Sequence, residues 1–145
     1  MKKVLQGDIW WINPTPKMGS EQRGRRPALI IQNDVANQYL KTTIVAIIST
    51  SGRNDMPEMV KLEKKYGLKD DSYADFAQIF TVDKERLTDK IGVISSKKWN
   101  DIEKAMGCIF MKTITDDNSS LEADLEMFLN NPSFDFLKDE PDLYK

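Results

Sequence analysis

Thr42–Thr43–Ile44–Val45–Ala46–Ile47–Ile48–Ser49 decides the fold. Most of its positions are β-branched, which restricts χ1 in a helix but packs well on a pleated sheet. The strand ends in Thr50–Ser51–Gly52–Arg53–Asn54–Asp55, a polar loop of turn formers. Upstream, Pro27 opens a second apolar strand that runs through Ala28–Leu29–Ile30–Ile31 to Gln32, and Asn33–Asp34 reads as the turn between the two.

Further out, Gly7–Asp8 reads as a turn and Ile9–Trp10–Trp11–Ile12 as a short aromatic strand. Asn13–Pro14–Thr15–Pro16 stops that strand, because proline cannot donate to a ladder. On the other side, Glu58–Met59–Val60–Lys61–Leu62–Glu63 alternates with the period of a half-exposed strand. Tyr66 to Asp71 turns the chain, and Ser72 to Val82 reads as one more strand anchored by Phe76, Ile79 and Phe80. Asp83–Leu87 suits a single helical turn, and Ile91–Ile94 a short strand. Ser95 or Ser96 then caps a helix in which Trp99, Ile102, Met106, Ile109 and Phe110 form one apolar stripe, a core face. Ser119–Ser120–Leu121–Glu122 is a capping box for a further helix over about residues 120–130.

Roughly five or six short strands with regular turn signals, followed by a packed helix, predict a mainly β, α+β chain built as a small barrel or sandwich. The expected division is residues 1–115 as the barrel with its helix and 116–145 as an acidic C-terminal extension.

A length of 145 residues suits one domain with a real core. No apolar run approaches the ~18 residues of a membrane span. The start of the chain has lysines but no apolar segment of a secretion signal. Cys108 is alone in an apolar neighbourhood, so it reads as a small core residue, and a cytoplasmic location is expected. The chain has no histidine, which excludes histidine acid–base catalysis and, with one cysteine, leaves no credible zinc site. No cofactor is expected. From Asp116 onward nine acids face two lysines, a net of -7, whereas residues 1–115 hold 19 Lys+Arg against 14 Asp+Glu, a net of +5. A basic body implies an anionic partner, and the acidic extension either folds over the basic surface and damps it or extends the core.

The charge of the body concentrates in Gly19–Ser20–Glu21–Gln22–Arg23–Gly24–Arg25–Arg26–Pro27. A cationic, flexible loop clamped to a rigid strand is either a solvated surface loop or a place where binding and catalytic groups sit.

Gly7–Asp8–Ile9–Trp10, Gly19–Ser20–Glu21–Gln22, Arg26–Pro27, Ile31–Gln32–Asn33–Asp34 and the segment from Gln78 to Ile91 with Arg86–Leu87–Thr88–Asp89–Lys90 occur in one order. This ordered set resembles the MazF/PemK toxins of bacterial toxin–antitoxin pairs over about residues 6–110. The resemblance implies an SH3-like small β-barrel of the MazF/PemK/CcdB type, a homodimer, and cleavage of single-stranded RNA (mRNA) without a metal. It also implies a cognate antitoxin as partner, and no membrane. In that family the arginine before the proline and a hydroxyl at the end of the third strand carry catalysis, which puts Arg26 and Ser49 in those roles. Ser49 stands where the family more often has threonine, with Thr50 beside it.

The residues suit such chemistry on their own. A guanidinium can hold the charge that gathers on a phosphorane through two parallel hydrogen bonds. Ser49 can orient a phosphate oxygen. Glu21 is the nearest plausible base, or else an ion-pair partner that holds the loop. For RNA binding, Arg23, Arg25, Arg53 and Lys17 suit the backbone, Thr50 lies beside the catalytic hydroxyl, and Gln22, Asn54 and Gln78 can read base edges. Tyr66, Tyr73 and Phe80 offer stacking faces, though each also suits a core. Two other functions share the barrel: a gyrase-poisoning toxin that acts by protein binding, and a relative that binds RNA or a partner without cleaving.

Overall fold

The structure is a computed structural model that describes residues 2–13 and 24–112. The expected second helix and the acidic extension lie outside the described residues. β1 (Asp8–Ile12), β2 (Arg26–Ile30), β3 (Thr42–Ser49), β4 (Met59–Leu62), β5 (Ser72–Asp83) and β6 (Leu87–Val93) form a single sheet in the order β4-β5-β3-β2-β1-β6. Each neighbouring pair is antiparallel. Two α-helices, α1 (Asp34–Tyr39) and α2 (Ser96–Phe110), and two single 3-10 turns, Lys64–Tyr66 and Lys84–Arg86, complete the described fold. No helix among the described residues is long and apolar enough to cross a membrane.

β3 is apolar without alternation because both of its faces are covered. Ala46 and Ile48 join Ile9, Leu29, Leu62 and Phe76 in one cluster, against which α2 lays Ile102 and Ala105. Val45 joins Trp10, Ile12, Ala28, Ile30 and Leu87 in a second cluster on the opposite face. Side chains alternate along a strand, so Ile9 and Trp10 enter different clusters. The two edges of the sheet come together through the turn that follows β4. Gly92 of β6 lies so close to that turn that a Cβ on it would meet the Tyr66 carbonyl oxygen at 2.0 Å. Only a residue without a side chain permits this approach. The sheet is thus rolled into a small barrel, the first of the two forms, barrel or sandwich, that the strand count left open.

Several expectations change at this level, and the choice between Ser95 and Ser96 as a cap is decided. Asn33–Asp34 is not a bare turn but the start of α1: the Asn33 side chain accepts from the Ala36 N–H at 2.9 Å as an N-cap. No apolar stripe announces this helix, because its buried residue is polar. Asn37 donates to the Gln32 carbonyl at 2.9 Å and accepts from Gln32 Nε2 at 2.9 Å and Thr43 Oγ1 at 2.7 Å. The Lys84 ammonium donates to its carbonyl. β6 begins at Leu87 rather than Ile91: its polar stretch, Thr88 to Lys90, is an edge, which carries charge without harm to the core. The buried Asp8 carboxylate ties that edge inward, 3.3 Å from Lys90 and hydrogen-bonded by Leu5 N–H and the Trp10 indole.

Ser95, not Ser96, caps α2, accepting from Lys98 N–H at 3.1 Å. Its apolar stripe is buried only through its middle. Trp99, Ile102 and Met106 pack on the core, whereas Ile109 and Phe110 are exposed and Cys108 is half-buried. The helix meets β4 and β5, and the residues that it lays on the core come from its earlier turns. Glu63 and Lys98 fasten α2 to the end of β4, with 2.9 Å between carboxylate and ammonium.

Candidate active site

The face of the sheet that holds the second cluster becomes polar where β2 begins and β3 ends. Ala28 pairs with Ile47, and continuing that antiparallel register by two residues sets Arg26 across from Ser49. Ser49 in turn pairs with Tyr73 on β5, and Ile47 with Asp75, which also pairs with Met59 on β4. Residues two apart on a strand share a face. Arg26, Ser49, Tyr73 and Asp75 therefore converge on a cleft of about 160 Å³, lined also by Ile47, Ser51, Gly52, Met59 and Gln78.

Arg26 is exposed at the first position of β2. Among the described arginines it is the one whose guanidinium has no acceptor among the described residues. Arg25 lies 5.1 Å over the Trp11 ring and pairs with Asp89 at 2.5 Å. Arg53 forks onto Asp55 through two hydrogen bonds of 3.0 and 2.5 Å, and Arg86 donates to the Asn13 carbonyl at 2.5 Å. Three guanidiniums are committed to holding loops, and one faces the cleft with its donors unspent.

Ser49 is half-buried, and its Oγ accepts the Ser51 N–H at 3.1 Å. Accepting through a lone pair leaves the hydroxyl hydrogen to donate into the cleft. Thr50, the neighbouring hydroxyl, is exposed on the turn and does not line the cleft. The wall beyond Ser49 is Tyr73, against which the loop backbone is pressed: a Cβ on Gly52 would fall 2.2 Å from the ring. That glycine lets the β3–β4 loop close over the end of the cleft.

Of the residues expected at the site, the structure brings Arg26, Ser49, Tyr73 and Gln78 together. Arg53 and Asn54 are exposed in the adjoining loop, and Arg25 points to Trp11 and Asp89 rather than into the cleft. Glu21, Gln22, Arg23 and Lys17 lie outside the described residues. Tyr66 and Phe80 are core: Tyr66 is buried with its hydroxyl 3.1 Å from Ser95 Oγ, and Phe80 packs against the second cluster. Asp75 escaped the sequence reading. Its signal was there, since it lies two residues past Tyr73 on the strand that pairs with Ser49, but pairing had to be known for that count to mean anything. Among the described residues, no three of His, Cys, Asp or Glu are grouped so as to hold a metal ion.

Comparison with known proteins identifies the family to which this curled antiparallel sheet with its C-terminal helix belongs. Residues 5–110 match the family described as PemK-like, MazF-like toxin of type II toxin-antitoxin system, and the chain belongs to that family. Among its relatives, the endoribonuclease EndoA of Bacillus subtilis is 39% identical over 105 residues, spanning 71% of this chain and 90% of that enzyme. The endoribonuclease MazF of Staphylococcus epidermidis is 42% identical over 106 residues, spanning 71% and 88%. The fold agrees with a MazE-MazF structure from Deinococcus radiodurans, with a TM-score of 0.63 at 16% identity over 77% of this chain and 98% of that one. It agrees equally with an endoribonuclease in complex with its cognate antitoxin from a mycobacterial species. There the TM-score is 0.62 at 23% identity, over 72% and 92%.

Proposed function

We propose that this chain is a metal-independent, sequence-specific endoribonuclease that cleaves single-stranded RNA and is neutralised by a cognate antitoxin. The observation that carries the reading is Arg26: a guanidinium with no acceptor among the described residues, in a cleft beside a hydroxyl whose proton is available. The family membership and the endoribonuclease names of relatives near 40% identity support it. A gyrase-poisoning toxin or a non-cleaving binder has no need of that pairing.

In this reading the ribose 2′-oxygen attacks the adjacent phosphorus and the bond to the 5′-oxygen of the next nucleotide breaks. The products are a 2′,3′-cyclic phosphate and a 5′-OH end. Arg26 donates two hydrogen bonds to the non-bridging oxygens, which gain charge as the phosphorane forms, so its contribution is larger in the transition state than in the ground state. Ser49 donates to one of the same oxygens and fixes the phosphate for in-line attack. Glu21 takes the 2′-OH proton in this scheme, and the leaving oxygen collects a proton from water. The protein works in the cytoplasm as a homodimer.

The test is incubation with a long single-stranded RNA in EDTA, followed by mapping of the ends. Discrete cuts with 5′-OH ends that vanish in Arg26→Ala are expected, with RNA affinity that falls steeply as salt rises. Intact RNA in the presence of folded protein would overturn the nuclease reading and leave protein binding as the function.

A further inference from the structure

β5 does not run evenly past the cleft. Ile47 pairs with Asp75, but the next residue back on β3, Ala46, pairs with Ile79, so residues 76–78 form a bulge with no counterpart on β3, Phe76 turned into the core and Ala77 and Gln78 exposed. The Phe76 N–H is taken instead by the Glu58 carbonyl at 2.9 Å. Bulges re-aim side chains, and this one brings Gln78 back to the cleft beside Asp75. Asp75 holds the bulge in shape. One of its oxygens, Oδ1, accepts the Ala77 N–H at 2.9 Å, and the other, Oδ2, accepts Gln78 Nε2 at 2.9 Å.

That second bond decides what Gln78 shows to a ligand. A carboxamide has an accepting end and a donating end of nearly equal size, and a carboxylate can only accept. Asp75 therefore binds the NH₂ end and turns Gln78 Oε1 away from itself. The two side chains together present an edge dominated by acceptors. Charge sorts the cleft in the same sense. A carboxylate opposes a phosphate, so the backbone belongs at Arg26 and Ser49, and the Asp75 end is left to a base.

Resting on the endoribonuclease reading above, we propose that Asp75 and Gln78 form a base-reading pair. The pair selects a nucleotide beside the scissile phosphate that carries an exocyclic amino group (adenine, cytosine or guanine) over uracil. Asp75 is the positioning residue, because it sets the polarity of the Gln78 amide.

Asp75→Asn tests this directly. Its side-chain oxygen can still accept the Ala77 N–H, but an NH₂ group now stands where Oδ2 stood, which turns the Gln78 amide round to present its N–H groups. Cut sites on a long single-stranded RNA are mapped for the wild type and the variant. Oligonucleotides are then cleaved in which the amino group at one position is removed, inosine for guanosine or purine riboside for adenosine. For the wild type, one position of the cut motif is amino-bearing, and its removal lowers kcat/KM roughly tenfold or more. In Asp75→Asn the preference at that same position moves to uracil, the base without an exocyclic amino group. An unchanged motif in a cutting Asp75→Asn protein overturns the proposal, as does an equal fall at every site. Should Asp75→Asn fail to fold, Gln78→Leu, at an exposed position, reads the same motif position: lost preference there supports the pair, and retained preference overturns it. Wild-type protein that leaves RNA uncut overturns the nuclease reading itself and this one with it, a result distinct from wild-type cutting with an unmoved motif.

Discussion

Arg25 and Arg26 are adjacent in the chain and do different work: the first stacks on Trp11 and pairs with Asp89, and the second turns into the cleft across from Ser49 with no acceptor among the described residues. Strand alternation at the mouth of β2 separates two identical groups into an anchor and a ligand-facing donor. Arg26→Ala should lower the cleavage rate by roughly 10²–10³-fold, the usual cost of one donor to a developing oxyanion, with little change in Tm. Arg26→Lys should restore only part, since an ammonium lacks the planar fork. Arg25→Ala should leave kcat near wild type and cost at most about 1 kcal/mol of stability, as exposed ion pairs do. Equal losses of rate in both alanine variants would show that the two arginines act as one charge patch.

Ser49 should matter through its hydroxyl alone. Ser49→Ala removes one hydrogen bond to a charged oxygen, about 1.5–3 kcal/mol, so kcat should fall roughly 10- to 100-fold. Ser49→Thr should keep most of the rate, while Thr50→Ala should leave it close to wild type because Thr50 does not line the cleft. A larger loss in Thr50→Ala than in Ser49→Ala, measured in single-turnover cleavage, would reassign the hydroxyl.

Gly52→Ala should damage both stability and rate. The added Cβ would stand 2.2 Å from Cγ and 2.3 Å from Cβ of Tyr73, near the stem of that side chain where it cannot swing aside. Overpacking of this kind costs about 1–3 kcal/mol, readable as a shift of the urea midpoint. In the double variant Gly52→Ala/Tyr73→Ala the stability cost of the glycine change should largely disappear. Additive losses would mean that the loop does not rest on the ring.

The Glu63–Lys98 bridge predicts an acid-sensitive share of stability. Burial pushes the Glu63 carboxyl up, but the hydrogen bond from Lys98, a backbone N–H and the charges of Lys98 and Lys65 together outweigh it, and the pKa is lowered from its ordinary value. A group whose folded pKa is depressed stabilises the fold above its unfolded pKa, about 4.3 for glutamate, and loses that contribution as pH falls through the folded value. Wild type should therefore exceed Glu63→Gln in unfolding free energy at pH 7. The gap should close in acid below the usual carboxylate range. A gap that persisted there in urea titrations would show that the amide is disfavoured for reasons other than charge.

Much of this molecule is legible in its sequence where physics is local. β3 was bounded residue for residue by its β-branched run and the polar loop behind it. β5 showed its span, though not its bulge, because a bulge is a property of two paired strands. α1 was hidden since helical periodicity is a signal of apolar residues, and this helix buries an asparagine against Gln32 and Thr43. The final turn of α2 misled in the opposite direction: Ile109 and Phe110 keep the helical spacing, but spacing cannot say where the contact with the core ends.

The same division holds at the site. Sequence alone determined the barrel class, the absence of histidine chemistry, and the candidates Arg26, Ser49 and Gln78, because strand propensity, composition and an ordered set of short motifs are written along the chain. Only the tertiary structure decided which three of the four described guanidiniums are spent on protein groups and which one is not. Only it placed Asp75 on the NH₂ end of the Gln78 amide. The placing of Arg25, Arg26 and Asp75 depends on cross-strand register and on the bulge opposite Ala46 and Ile47, contacts between segments far apart in sequence.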